Sequence, residues 1–166
     1  HPDDPYQLDE DDRPYDKPTE LAVGFIRKNK DKPFFLNFCP FYVHGPIGTR
    51  DKKRLQHYCE KMGHPFPSDP KAVNPAIPGH SNPYYASMVD TVDWSIGKVV
   101  SYLEKTDDPR NPGHKLIDNT YIIIDSDNGG WLGSQHEPIT DNSPLRGGKM
   151  NNYEGGLRVP FLVRGP

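Results

Sequence analysis

The sequence has few apolar residues and no long apolar run. Apolar types make up 33% of the 166 residues. No stretch approaches the roughly 18 consecutive apolar residues that a membrane-spanning helix requires. We therefore expect no membrane-spanning helix and no membrane partner.

Two further scarcities exclude other classes of protein. The 20 Lys and Arg residues are outnumbered by 23 Asp and Glu, so the net charge is −3. Because nucleic-acid binding needs a basic field, we expect no nucleic-acid partner. Only Cys39 and Cys59 are present, with no Cys-x-x-Cys pair, which argues against a zinc knuckle or a thioredoxin-type site. The sequence alone does not decide whether Cys39 and Cys59 form a disulfide.

Proline and glycine are abundant instead, with 19 and 15 residues, so much of the chain should be loop. The segment at the start is acidic and proline-rich and does not resemble a secretory leader. The sequence begins with His1 rather than Met, which indicates a piece of a longer chain. We expect one partial domain over residues 1–166, with an acidic arm at 1–17 and an α/β portion at 18–166.

Hydrophobic periodicity divides the chain into alternating helices and strands. Helices are predicted at 19–28, 53–60 and 84–104, and strands at 34–38, 120–125 and 159–163. The strands at 34–38 and 120–125 are apolar at successive positions, which indicates burial on both faces. This alternation predicts a layered α/β architecture with a mostly parallel sheet flanked by helices.

A cluster of oxygen-bearing side chains follows the strand at 120–125. The stretch reads IIIDSDNGG and includes Asp125, Asp127 and Asn128. In open α/β sheets ligands bind beyond the carboxyl ends of the strands, and such oxygens suit calcium or magnesium. The same residues also form ordinary turns after strands, so both interpretations stay open.

Positive groups stand near this cluster in the predicted architecture. Arg146 and Lys149 lie beside glycine pairs and can hold an anion, or they can belong to a solvated loop. His44 follows the strand at 34–38 and can donate to an anion or act as a general acid. His136 is a weaker candidate. Together, a cation site, an ammonium and an imidazole suit the hydrolysis of an anionic ester.

These motifs resemble those of the sulfatase family, within the alkaline phosphatase-like superfamily. The resemblance runs from about residue 32 to the end and includes a Tyr-x-x-x-Val helix pattern. Its segments are KPFFLNF followed by HGP, the stretch DNTYIIIDSDNGG, and SPLRGGKMNNYEGGLRVPFLVRGP. The last of these, joined to SDNG, is the most specific.

The resemblance implies an incomplete alkaline phosphatase-like fold and roles for individual residues. Asp127 and Asn128 match two calcium ligands. Lys149 matches the lysine that contacts the sulfate group, and His44 the histidine that binds sulfate or assists the leaving alcohol, so both are implied as catalytic. Arg146 and His136 are implied only on the substrate side.

Two expected parts of the family site are missing. No Cys/Ser-x-Pro-x-Arg motif, from which the family makes its formylglycine nucleophile, is present, and Cys39 is followed by no arginine at the required position. The aspartate pair of the family's first strand is absent too, and Asp125 stands where the family usually has a small hydroxyl residue. We expect the rest of a sulfatase chain to complete the site, and this chain alone to be inactive.

Several alternatives remain after the resemblance. The chain can derive from a phosphate- or phosphonate-ester hydrolase of the same superfamily, or from a non-catalytic module that binds sulfated glycans. The expected partner is a sulfated small molecule or carbohydrate. For the full-length protein the resemblance implies a secreted, periplasmic or lysosomal location.

Overall fold

The computed structural model describes Arg13 and residues 16–49, 51–68, 82–133 and 139–166. The three predicted helices are confirmed. In chain order the elements are α1 (Lys17–Asn29), α2 (Lys52–Met62), α3 (Pro83–Lys105), a 3-10 helix (Leu116–Asn119), β1 (Ile122–Asp125), α4 (Glu154–Leu157) and β2 (Phe161–Arg164). The division into an arm and an α/β portion stays a prediction, because most of residues 1–17 lie outside the described residues.

Polar side chains determine where the three long helices begin. Asp16, Asp51 and Asn82 each precede a helix and accept hydrogen bonds from backbone N–H groups two or three residues later, at 2.9–3.1 Å. Each such cap satisfies N–H groups that the first helical turn leaves unpaired, which is worth about 1 kcal/mol. None of the described helices has the length and apolar composition required to cross a membrane.

Helix α3 is the centre of the packing and contacts α1, α2 and the 3-10 helix. One buried cluster lies between α2 and α3 and the other joins α1 and α3 to the 3-10 helix. Their buried members are Ile47, Leu55, Cys59, Tyr84, Met88 and Ile139 in the first, and Ile26, Leu103, Leu116 and Ile117 in the second. Cys59 is buried and Cys39 exposed, and both are free thiols, so the structure contains no disulfide between them.

An ionic network joins Arg13 to α2 and α3. The Arg13 guanidinium donates to Asp90 on α3 and lies 3.5 Å from the Asp51 carboxylate. The Tyr58 hydroxyl donates to the same Asp90 carboxylate at 2.9 Å. Burial acts to raise the pKa of Asp90. The hydrogen bonds from Arg13 and Tyr58 and the positive charges of Arg13 and Arg54 act in the opposite direction, and their combined effect is larger. The pKa of Asp90 therefore lies below its ordinary value. The network therefore holds Arg13 against α2 and α3.

The sheet differs from the predicted one. Within the described residues it has two strands, and β1 and β2 pair antiparallel, with Ile122 opposite Arg164 and Asp125 opposite Phe161. The prediction of a mostly parallel, layered sheet is therefore not confirmed. Burial of the strand at 120–125 on both faces was also wrong, since Ile123 is 60% exposed. Ile122 packs against the cluster around Ile26 on one face of β1, whereas Ile123, on the other face, has no layer over it within the described residues.

The predicted strand at 34–38 was also wrong. The segment forms no strand within the described part of the chain, because no neighbouring strand supplies a hydrogen-bonding partner. Its side chains nevertheless alternate, as in extended backbone. Phe34 and Leu36 pack against the cluster around Ile26, whereas Phe35 is 87% exposed. The run of apolar residues therefore predicted an extended segment correctly but predicted more burial than the structure has.

Candidate functional site

The site begins at the turn that follows β1. Strand β1 ends at Asp125, and the Ser126 hydroxyl then donates to the carbonyl of Asn128 at 2.8 Å. This bond closes the turn over Asp127. Asp127 is exposed and Asn128 is half-buried. The turn therefore presents a carboxylate and an amide beside one another at the end of the strand.

Backbone hydrogen bonds connect this turn to the two later glycine pairs. The Gly129 N–H donates to the Gly156 carbonyl at 2.9 Å, the Lys149 N–H to the Gly130 carbonyl at 3.0 Å, and the Gly155 N–H to the Arg146 carbonyl at 2.9 Å. These segments contain three glycine pairs, at positions 129–130, 147–148 and 155–156, and we refer to the three pairs together as the glycine junction. It brings Asp127 and Asn128 into the same small region as Lys149.

Close approach of the backbones explains why these positions are glycine. A Cβ atom at Gly129 would lie 1.8 Å from the Gly155 carbonyl oxygen, and one at Gly155 would lie 2.1 Å from the Gly147 oxygen. Both distances are far below van der Waals contact. Gly147 in addition has φ +77°, a conformation that residues with side chains rarely adopt. Any larger residue would separate the segments that carry the site.

Two asparagines complete the junction, and neither was predicted as a site residue from the sequence. The Asn142 side-chain amide donates to the carbonyls of Gly130 and Gly147 at 2.9 and 3.1 Å. The Asn151 side-chain oxygen accepts from the Gly148 N–H at 3.1 Å. Asparagine readily bonds backbone groups, so an asparagine a few residues from a glycine pair was the available signal for these roles.

The two predicted cationic residues differ in their surroundings. Lys149 is half-buried, and its backbone is fixed to the turn through Gly130. Arg146 is exposed, and its guanidinium carbon lies 3.7 Å from the centre of the Tyr153 ring, a distance at which a cation is attracted to the ring face. The junction thus holds Lys149 close to the turn, and Tyr153 orients Arg146.

His44 lies near the same region because the next residue, Gly45, lies beside Trp131. The imidazole is exposed, with its Nδ1 atom 2.8 Å from the Gly45 carbonyl and its ring centre 5.3 Å from that of Phe41. A Cβ atom at Gly45 would lie 3.9 Å from Cζ3 of Trp131. Since Trp131 directly follows Gly130, the loop carrying His44 lies against the turn that carries Asp127.

Comparison with known proteins decides the family. The family model described as Sulfatase matches residues 1–166, which is the whole sequence.

This chain belongs to the sulfatase family.

The individual relatives are also described as sulfatases. The chain is 35% identical over 153 residues to a sulfatase of Formosa agariphila, 31% over 152 residues to a steryl-sulfatase of Rattus norvegicus, and 30% over 157 residues to an N-acetylgalactosamine-6-O-sulfatase of Bacteroides thetaiotaomicron. These matches cover 87–89% of this chain but only 20–24% of the relatives. The chain therefore spans about a quarter or less of their length. Sulfatase membership implies an alkaline phosphatase-like α/β fold.

The side-chain oxygens of the turn that follows β1 are of the type found in calcium sites. Calcium takes six to eight oxygen ligands, and Asp127 and Asn128 provide two side chains of the required type. Across the described ranges, no group of three His, Cys, Asp or Glu side chains could hold a metal ion. Asp125 is exposed at the end of β1. This part of the molecule can thus supply some ligands, and further ones are needed.

One predicted site residue is not placed. His136 lies at 134–138, outside the described residues. Of the remaining candidates, the structure brings together Asp127, Asn128 and Lys149 through the glycine junction, and His44 through Trp131.

Proposed function

We propose that this chain forms the sulfate-binding side and part of the calcium site of an enzyme that hydrolyses sulfate esters. The observation that carries the proposal is the 3.0 Å hydrogen bond from the Lys149 N–H to the Gly130 carbonyl. It joins the backbone of the cationic residue to the turn that bears Asp127 and Asn128. Membership of the sulfatase family supports the choice of sulfate as the anion.

Each residue has a separate chemical task in this proposal. Lys149, whose backbone is held at the turn, supplies a positive charge for the non-bridging sulfate oxygens, where negative charge increases during reaction. His44 donates a hydrogen bond to sulfate or a proton to the departing alcohol. Arg146, held on Tyr153, adds a second cation at the substrate side, and His136 stays a proposal for the same side.

Calcium, bound by Asp127 and Asn128 together with ligands from outside this chain, would balance the charge of the ester and of the nucleophile. We propose that the nucleophile is a formylglycine from another part of the protein, because the sequence has no Cys/Ser-x-Pro-x-Arg motif. For the chain alone we expect no turnover of a chromogenic aryl sulfate. Turnover by the chain would contradict this assignment of the nucleophile.

Anion binding tests the proposed function without requiring catalysis. Titration calorimetry with methyl sulfate should give an affinity that falls about tenfold or more in Lys149→Ala, because each tenfold loss corresponds to about 1.4 kcal/mol. Lys28→Ala on the exposed side of α1 removes the same charge elsewhere and serves as the control. Equal affinity in wild type and Lys149→Ala would contradict the role of Lys149. Tighter binding of methyl phosphate would favour the phosphate-ester alternative.

Calcium binding tests the turn. We expect a dissociation constant of about 1 mM or weaker, the weak end for extracellular calcium modules, since only two side-chain ligands are present. Asp127→Asn should weaken it further, whereas Asp31→Asn, in the exposed turn after α1, should not. Unchanged calcium binding in Asp127→Asn would show that Asp127 is not a ligand.

The family resemblance also supports a secreted, periplasmic or lysosomal location for the full-length protein. Fractionation of cells that produce the full-length protein tests this proposal, and recovery of the protein only from the cytosol would contradict it.

A further inference from the structure

Two exposed aromatic rings lie beside the proposed sulfate site and have no role in the function described so far. Trp131 is 45% exposed and Phe41 is 63% exposed. Large aromatic rings gain free energy when they leave water, and they are the side chains that most often provide flat contact surfaces for ligands. An exposed tryptophan against the loop that carries His44 therefore points to a ligand contact.

The position of Trp131 connects the two sides of the site. Its backbone follows Gly130, whose carbonyl accepts from the Lys149 N–H at 3.0 Å. Its ring extends to Gly45, where a Cβ atom would lie 3.9 Å from Cζ3. Phe41 continues this apolar edge, since its ring centre lies 5.3 Å from that of His44. The indole thus spans the distance from the Lys149 segment to the His44 segment.

The backbone on both sides of Trp131 is held in place. The Thr140 hydroxyl donates to the Trp131 carbonyl at 3.0 Å, and the Ile139 N–H donates to the Leu132 carbonyl at 3.2 Å. Thr140 and Ile139 are themselves buried. Because the backbone is anchored, binding a ligand against the ring requires little additional ordering, which favours affinity.

We propose that Trp131 is a specificity-determining residue that stacks on a ring in the alcohol part of the sulfate ester, with Phe41 bordering the same space. This inference rests on the proposed function, because His44 and Lys149 must hold the sulfate group for the alcohol to reach the indole. The substrate class is a sulfate ester of a ring-bearing alcohol. An aromatic ring and the apolar face of a sugar ring offer the same stacking chemistry.

Three probes separate the contribution of the ring from that of the sulfate. Methyl sulfate carries the anion without a ring, phenyl sulfate adds an aromatic ring, and galactose 6-sulfate adds a sugar ring. Titration calorimetry should give roughly three- to tenfold tighter binding of at least one ring-bearing probe than of methyl sulfate. Whichever of the two binds more tightly identifies the kind of ring.

Variants assign the preference to Trp131. In Trp131→Ala the affinity ratio of the ring-bearing probe to methyl sulfate should fall close to one. The ratio is the readout because any shift of the His44 loop changes the binding of both probes and cancels in it. Trp131→Phe should retain part of the ratio. Phe35→Ala, which removes another strongly exposed ring, is the matched control and should leave the ratio unchanged.

A fluorescence measurement avoids dependence on the folding of Trp131→Ala. The sequence has two tryptophans, and Trp94 lies on α3 with Arg13 and Lys98 over its ring. In Trp94→Phe, which keeps an aromatic ring for these cations, all tryptophan emission comes from Trp131. The ring-bearing probe should quench or shift that emission, and methyl sulfate should not.

The possible results distinguish this inference from the proposed function. If methyl sulfate binds but no ring-bearing probe binds more tightly, or if the preference persists in Trp131→Ala, the inference is wrong and the proposed function stands. If a ring-bearing probe binds through Trp131 but Lys149→Ala has no effect on any probe, the proposed function fails, and with it the placement of that ring in a sulfate ester, although the ring contact itself stands. Absence of binding by all three probes contradicts both.

Discussion

The helical part of the molecule and the glycine junction are held together in opposite ways. Around α3, large side chains such as Leu55, Tyr84 and Met88 fill the space between helices. In the junction, the segments at 129–130, 147–148 and 155–156 approach so closely that no side chain fits, and backbone N–H and carbonyl groups bond directly. The helices depend on the presence of side chains and the junction on their absence.

The largest expected effect comes from adding one methyl group to the junction. Gly129→Ala should lower the free energy of unfolding by about 4 kcal/mol or more, because a Cβ atom 1.8 Å from the Gly155 oxygen must separate two hydrogen-bonded backbones. Chemical denaturation measures the change. Affinity for methyl sulfate should fall as well, since Lys149 would move away from the turn. Wild-type stability in Gly129→Ala would contradict the described junction.

The next largest effect comes from removing a side chain from the helical part. Leu55 is 0% exposed, so Leu55→Ala leaves a cavity between α2 and α3 and should cost about 3 kcal/mol. Leu21→Ala on the exposed face of α1 makes the same change in water and should alter stability by less than about 0.5 kcal/mol. Equal denaturation midpoints for the two variants would show that Leu55 does not pack as described.

A smaller effect concerns the ionic network of Arg13. Asp90→Asn should cost about 2 kcal/mol near neutral pH, because the carboxylate partner of a buried guanidinium is lost. The folded pKa of Asp90 is lowered. Its contribution is therefore fully present above the unfolded pKa of about 4 and is lost as pH falls through the folded pKa.

Denaturation at several pH values tests that sign. Between about pH 5 and about pH 2, the wild type should lose more stability than Asp90→Asn, and the two should converge at the acid end. Comparing the two proteins isolates Asp90, because Asp107 and Asp108, whose pKa values are also lowered, are present in both. Parallel pH profiles would contradict the role of Asp90.

The smallest effect has the opposite sign from the first. Gly97 lies on α3, and a Cβ atom there would meet nothing within 4 Å. Gly97→Ala should raise the free energy of unfolding by up to about 1 kcal/mol, because alanine is the better helix former. The same substitution thus stabilises a helix and disrupts the junction. A destabilised Gly97→Ala would mean that this glycine has a packing role as well.

Periodicity predicted the helices well, but it was less accurate about which faces are buried. The apolar pattern of 84–104 located α3 within one residue of its ends. It did not indicate that Ser87 and Ser95 are buried or that Val89 is exposed. The Ser95 hydroxyl is hydrogen-bonded to the Thr19 hydroxyl at 2.6 Å. Burial depends on where neighbouring helices cross, which local periodicity does not contain.

The strands were predicted less accurately for a related reason. The run of isoleucines indicated β structure at 120–125, and β1 is there. Its antiparallel pairing with β2 and the unpaired segment at 34–38 depend on partners distant in sequence. Strand type and burial are therefore properties of the assembled sheet, whereas a helix satisfies its hydrogen bonds within its own segment.

By itself the sequence determined the sulfatase family, the helices, and the residue types suited to a sulfate and a hard cation, because these follow from motifs and local patterns. Only the tertiary structure decided that Asp127, Asn128 and Lys149 share one region, that Asn142 and Asn151 bond the junction, and that Trp131 lies beside Gly45. The physical reason is that most of these contacts join segments distant in sequence, and the backbone contacts among them form only where glycines allow close approach.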